Sequence, residues 1–228
     1  MLKGRSLSTY YDEIALEAIR RAHLDIVRGS VTGDRLTTLA ASSEALVDAL
    51  DDVKPQRRRS RNVTAEAEAA LETIRADREI EKRIFTADDL RTEWRTPQPV
   101  AILYGNHPLD GAAARMLGQV LTKHGLAARV WPLTEAATIG PEESHGVALV
   151  CLSFIEPLST LHLRAFTRQV TRHAPQANVM LCIWQKTDES ILKEWRRKLR
   201  VDYLVTTTAD ALDAAAKLAS AKSLQVNA

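Results

Sequence analysis

Two patterns of apolar spacing divide the chain. From Leu7 to about Trp94 apolar residues recur every three or four positions, the spacing of amphipathic helices, whereas from Val100 onward short apolar runs alternate with helical stretches. In the first segment Leu7, Tyr11, Ile14, Ala18, Ala22 and Ile26 fall on one helical face. Ser6 or Ser8 can cap its start, Asp12 and Glu13 suit the positive end of the helix dipole, and Gly29 can end it. A second helix is predicted from about Asp34, with Leu36, Leu39, Ala40, Ser43, Leu46, Val47, Leu50 and Val53 on its apolar side. Joined through GSVTG, the two form an antiparallel hairpin over residues 1–53. Such a pair buries little by itself, so it needs a surface to pack on, supplied by another chain or by the second half of this one.

Residues 54–97 read as a charged, partly helical linker. It opens with KPQRRRSRN, continues into a charged helix from Thr64 to about Arg83, and ends in a short helix near Trp94 whose start has the capping-box spacing of Thr86 and Asp89. The two prolines of RTPQP, Arg95 to Pro99, remove backbone donors and turn the preceding residues away from helix, so helical structure should stop there.

Beyond that point the apolar runs at 99–105, 128–133, 146–154, 178–184 and 202–207 read as strands. Helical stretches near 109–124, 157–173, 188–199 and 208–220 separate them, with a weaker one at 134–144. Strands alternating with helices imply parallel pairing, and their near-continuous apolarity means that both faces of the sheet are covered. The predicted fold of residues 98–228 is therefore a five-stranded parallel, doubly wound α/β domain of flavodoxin-like order 2-1-3-4-5. Ligands of such sheets sit at the carboxyl ends of the strands, here the loops at 105–111 and 153–157, flanked by 184–188.

Charge and composition narrow the function classes. The 31 basic and 29 acidic side chains leave a formal charge of +2, which does not predict specific nucleic-acid binding by the surface as a whole. Arg57, Arg58, Arg59 and Arg61 are the local exception; a solvated loop explains them, and contact with anionic lipid headgroups is the functional alternative. Two cysteines, Cys151 and Cys182, both in strand-like apolar runs, suit a reducing compartment and act as small hydrophobes. No window approaches the roughly 18 apolar residues of a membrane span.

The candidate ligand-binding residues are Asn106, His107, Asp110, Gly111, Ser153 and Trp184. A phosphoacceptor receiver would need an acidic pair after the first strand and an aspartate after the third; Tyr104, Gly105 and Ser153 stand there instead. GNHPLDG does not supply the GxGxxG of a dinucleotide site. Asp110 is expected to cap the helix that follows it. Ser153 lies in no G-x-S-x-G elbow, so no catalytic residue is assigned, and a serine hydrolase is the remotest alternative. His124, His162 and His173 are expected on helix surfaces and near helix ends, without metal-ligand spacing. Neither a metal nor a cofactor is expected.

Two resemblances sharpen this picture. In overall order, with His107 and Gly111 in the first loop and LSF around Ser153, the second half resembles cobalamin-binding domains. It departs from their DxHxxG, because three residues separate His107 from Gly111 and Gly105 stands where the aspartate belongs. Ile183 and Trp184 also replace a Gly-Gly pair, and the indole should fill the slot that a nucleotide tail enters. Along more of the chain, SLSTYYDEIALEA, PLDGAAARMLGQVLTKHGL and VCLSFIEP resemble the C-terminal region of bacterial permeases of the autoinducer exporter (PerM-like) family. That resemblance implies a noncatalytic regulatory or assembly domain, cytoplasmic at the inner face of the plasma membrane, partnered by the permease's membrane portion or by a second copy. The alternative is a small-molecule sensor that binds a cobalamin- or nucleotide-like ligand at the carboxyl-end loops.

Overall fold

The computed structural model describes residues 6–30, 33–51, 83–135, 146–156 and 159–221. The five apolar runs form parallel strands β1 (Val100–Tyr104), β2 (Ala128–Pro132), β3 (Leu149–Phe154), β4 (Asn178–Ile183) and β5 (Tyr203–Val205). They are hydrogen-bonded in the order β2-β1-β3-β4-β5, the predicted flavodoxin-like arrangement. Every residue of β3 is buried, as a central strand covered on both faces requires. In the register Ser153 stands beside Tyr104 on one side and Cys182 on the other.

Among the described residues six longer helices surround the sheet. The first, α1, runs from Ser6, whose hydroxyl accepts the Thr9 N–H, as an α-turn Leu7–Tyr10, a π-helical segment Tyr11–Ala15 and an α-helical remainder Leu16–Val27. Next come α2 (Asp34–Ala49), α3 (Asp110–Lys123), α4 (Thr160–His173), α5 (Glu189–Lys198) and α6 (Thr208–Ala219). The basic cluster at Arg57, Arg58, Arg59 and Arg61, the charged helix expected up to Arg83 and most of the stretch at 134–144 lie outside the described residues. Among the described residues, no helix is long and apolar enough to cross a membrane.

The core is split by the sheet. On one side α3 and α6 pack against Val100, Ile102, Leu149, Cys151 and Met180; on the other, α4 and α5 pack against Ala101, Leu103, Val150, Leu152 and Leu181. The N-terminal helices find their surface within the chain, because Tyr11, Leu16, Ile19, Val47 and Leu50 join the α3/α6 core. Phe85, Leu90 and Trp94 join it too. Gly125 makes that approach close: a Cβ there would stand 2.1 Å from the Phe85 carbonyl oxygen, and its φ of +83° suits glycine.

Three local expectations need correction. The buried side of α1 follows the predicted positions through Leu7 and Tyr11, then continues through Ala15, Ile19 and His23, leaving Ile14 43% exposed. The π-helical segment takes one extra residue into its turn and so shifts the inward face by one position. The short helix after Thr86 is two 3-10 turns, Ala87–Asp89 and Thr92–Trp94, although Thr86 does donate its N–H and hydroxyl to the Asp89 carboxylate. Leu90 is drawn out of the helix between them by an antiparallel bridge to Ser220, with Arg91 N–H on the Ala219 carbonyl and Ala221 N–H on that of Asp89. His124, expected at the surface, is buried, and its Nδ1 lies 2.7 Å from the Val120 carbonyl oxygen.

Candidate functional site at the carboxyl edge

The carboxyl ends of β1, β3, β4 and β5 meet along one edge, and α1 is laid across it. Its polar contacts follow in chain order. Asp12 reaches the loop after β5, where its carboxylate accepts the N–H of Thr208 (2.7 Å) and Ala209 (3.1 Å) and the Thr208 hydroxyl (2.9 Å). These are first-turn donors of α6, without partners in their own helix, so the carboxylate works as a cap supplied from elsewhere in the chain. A cap of this kind stabilises by about 0.5–2 kcal/mol. Burial raises the Asp12 pKa, against the lowering by these donors.

Two turns along α1, Arg20 donates from Nε to the Trp184 carbonyl and from Nη2 to the Thr206 carbonyl at 3.3 Å, which ties the ends of β4 and β5. Glu17 pairs with Lys186 at 3.4 Å. His23 then meets the loops after β1 and β3: its Nδ1 lies 3.3 Å from His107 Nε2 and its Nε2 lies 2.6 Å from Glu156 Oε2. The two imidazoles meet edge-to-face, with ring centroids 4.8 Å apart.

The donor pattern fixes how these rings carry their protons. Leu109 N–H donates to His107 Nδ1 (3.2 Å), which places that ring's proton on Nε2. His107 Nε2–H then donates to His23 Nδ1, and His23 Nε2–H to the Glu156 carboxylate. In this arrangement every ring nitrogen is matched. An extra proton on His107 Nδ1 would face the Leu109 N–H. Burial lowers the His107 pKa first and the neighbouring His23 lowers it further, while Glu156 raises it. Both His23 nitrogens are engaged, and among the described residues no group of three His, Cys, Asp or Glu could hold a metal ion.

Beneath this contact Asp110 fastens the loops to each other. It is the first residue of α3, and it does not cap that helix as expected. Oδ1 accepts the Ile155 N–H (2.8 Å) and Oδ2 accepts the His107 N–H (3.2 Å), so the loop after β3 competes successfully for the carboxylate. Burial raises the Asp110 pKa to about 6, against the lowering by those two N–H groups.

Of the remaining candidates, Asn106 is exposed to solvent and Gly111 is buried, its missing Cβ taken up by the Tyr104 ring at 3.3 Å. Ser153 and Trp184 are both fully buried and bonded to each other, the indole Nε1–H donating to Ser153 Oγ at 2.8 Å. That arrangement denies Ser153 the exposure and the base of a nucleophile. Trp184 is fully buried beneath the edge, and a Cβ on Gly105 would stand 2.4 Å from Asp110 Oδ2 and 2.8 Å from the Phe154 ring. The described residues also form a cavity of about 210 Å³ at the opposite end of the strands, beside Trp94, Gly146, Gln176 and Asn178.

The structure thus joins His107 and Asp110 in one loop network and Ser153 and Trp184 in a buried pair. It adds Asp12, Arg20, His23 and Glu156, which reading the loops alone missed. A signal for three of them is present in α1, where Asp12, Arg20 and His23 sit eight and then three residues apart beside the apolar stripe. No protein-family profile matches the chain, and no curated protein matches it.

Proposed function

We propose that this chain is a noncatalytic regulatory or assembly module of a membrane permease, placed at the cytoplasmic face of the membrane. The sequence support is the resemblance to the C-terminal region of PerM-like permeases. The structural support is the closure of the carboxyl edge: α1 lies across it through Asp12, Arg20 and His23, and Trp184 fills the space below. A fold whose usual ligand edge is bonded to its own N-terminal helix has turned that edge to internal assembly. Fractionation of the producing cells, followed with an antibody to this chain, tests the reading. Recovery with an integral membrane component after salt and carbonate washing is expected; recovery only in the unbound fraction contradicts it.

A second reading, a small-molecule sensor, is favoured by one observation. The His107–His23–Glu156 relay couples the loops after β1 and β3 to a helix that a ligand would have to displace. A thermal-shift series with cobalamins, nucleotides and sugars separates the two, since saturable stabilisation lost in His107→Ala or Ser153→Ala supports the sensor. The permease module predicts no saturable shift.

A further inference from the structure

We infer that the outer face of α4, with α5 beside it, is a docking surface for an anionic lipid bilayer. Leu161, Arg164, Arg168 and Arg172 recur three or four residues apart on α4, away from Leu163, Thr167 and Val170, which face the sheet. All four are exposed, Leu161 by 74%. Successive arginines are about 6 Å apart along the helix axis, so their guanidinium groups can engage separate headgroups. None of the ion pairs among the described residues involves them. The sequence contains no Asp or Glu between Glu156 and Asp188.

The neighbouring helix extends the surface. Leu192 and Leu199 anchor α5 to the same core as Leu163 and Val170; its exposed side adds Lys193 and Arg197, while its exposed Glu189 and Glu194 pair with Arg196 and Lys198, so the continuous basic row is that of α4. Since the chain as a whole carries only +2, this concentration is a property of one face and not of the molecule.

The chemistry favours lipid over nucleic acid. A single-strand reader would present aromatic rings among its arginines, but Phe166 stacks on Phe154 and Trp195 packs against the core. What stands beside the arginines is an exposed leucine, an aliphatic group suited to the headgroup boundary of a membrane. The opposite face is already covered by α1 and α2, whereas among the described residues α4 and α5 are the outermost layer on their side. The inference does not depend on attachment to a permease.

The test is cosedimentation of the full chain with phosphatidylcholine vesicles, with and without phosphatidylglycerol. Retention on the anionic vesicles alone, abolished by high salt, is expected. The triple variant Arg164→Gln/Arg168→Gln/Arg172→Gln, shown to be folded by its thermal unfolding, should bind about a hundredfold more weakly. A variant with Arg57, Arg58, Arg59 and Arg61 changed to Gln should retain binding through α4. Four outcomes overturn the inference: no binding to anionic vesicles, equal binding to neutral ones, an unaffected triple variant, or tighter binding to an oligonucleotide in the same buffer. Loss of binding only in the variant of the segment at 57–61 overturns it as well.

Discussion

The two faces of the sheet carry helices of opposite character. On one side α3 buries ten of its fourteen residues and α6 seven of its twelve. On the other, α4 buries three of fourteen and α5 one of ten. The crossovers that place the helices do not explain this, because both sides follow the same doubly wound rule. The second layer does: α1 and α2 close over α3 and α6, so those helices are apolar on nearly every side and rich in small residues, as GAAARML shows. Among the described residues α4 and α5 meet the sheet with no second layer over them, and they keep a charged outer side. A helix in this fold therefore reports, through how much of its circumference is apolar, whether anything lies on top of it.

The largest expected effect contrasts the two sides directly. Leu117→Ala in α3 should cost about 2–5 kcal/mol in denaturant unfolding, whereas Leu161→Ala in α4 should stay within about 0.5 kcal/mol. Equal costs would break the comparison. Next, Asp110→Ala leaves the Ile155 and His107 N–H groups without their acceptor inside the edge, a loss of about 1–3 kcal/mol measured the same way. A smaller effect is expected from pH. The folded chain holds His107 below the usual histidine range, so on acidification the unfolded chain takes up a proton that the folded one refuses, and stability falls as pH drops. His107→Asn keeps an acceptor for Leu109 N–H but cannot be charged, and should lose less stability between about pH 8 and about pH 6. Asp110 has the opposite sign: its raised pKa adds stability as pH falls below about 6, so the histidine effect is best measured above that value.

How much of this was legible depended on whether a feature was local or tertiary. The strands and their parallel order follow from the apolar runs, because burial on both faces leaves a continuous mark. In α1 the predicted Ala22 and Ile26 do pack on the core, but Ile14 turns outward and Ala15, Ile19 and His23 are buried, because a π turn is not announced by composition and rotates the inward face. From its neighbours Asp110 reads as a local cap, since nothing near it reveals that the Ile155 N–H, 45 positions away, claims it. His23 and Glu156 were invisible as a pair for the same reason: 133 positions separate them, and only the docking of α1 brings them together.

The central claim is that α1 is seated on the carboxyl edge, and the N-terminus of α6 offers the most direct test. Thr208 and Ala209 N–H both donate to the Asp12 carboxylate. Residue-resolved amide exchange by NMR should find both protected in the native chain and fast-exchanging in Asp12→Ala, with the rest of α6 still slow. Fast exchange at Thr208 and Ala209 in the native chain, like that of any uncapped first helical turn, would contradict the account.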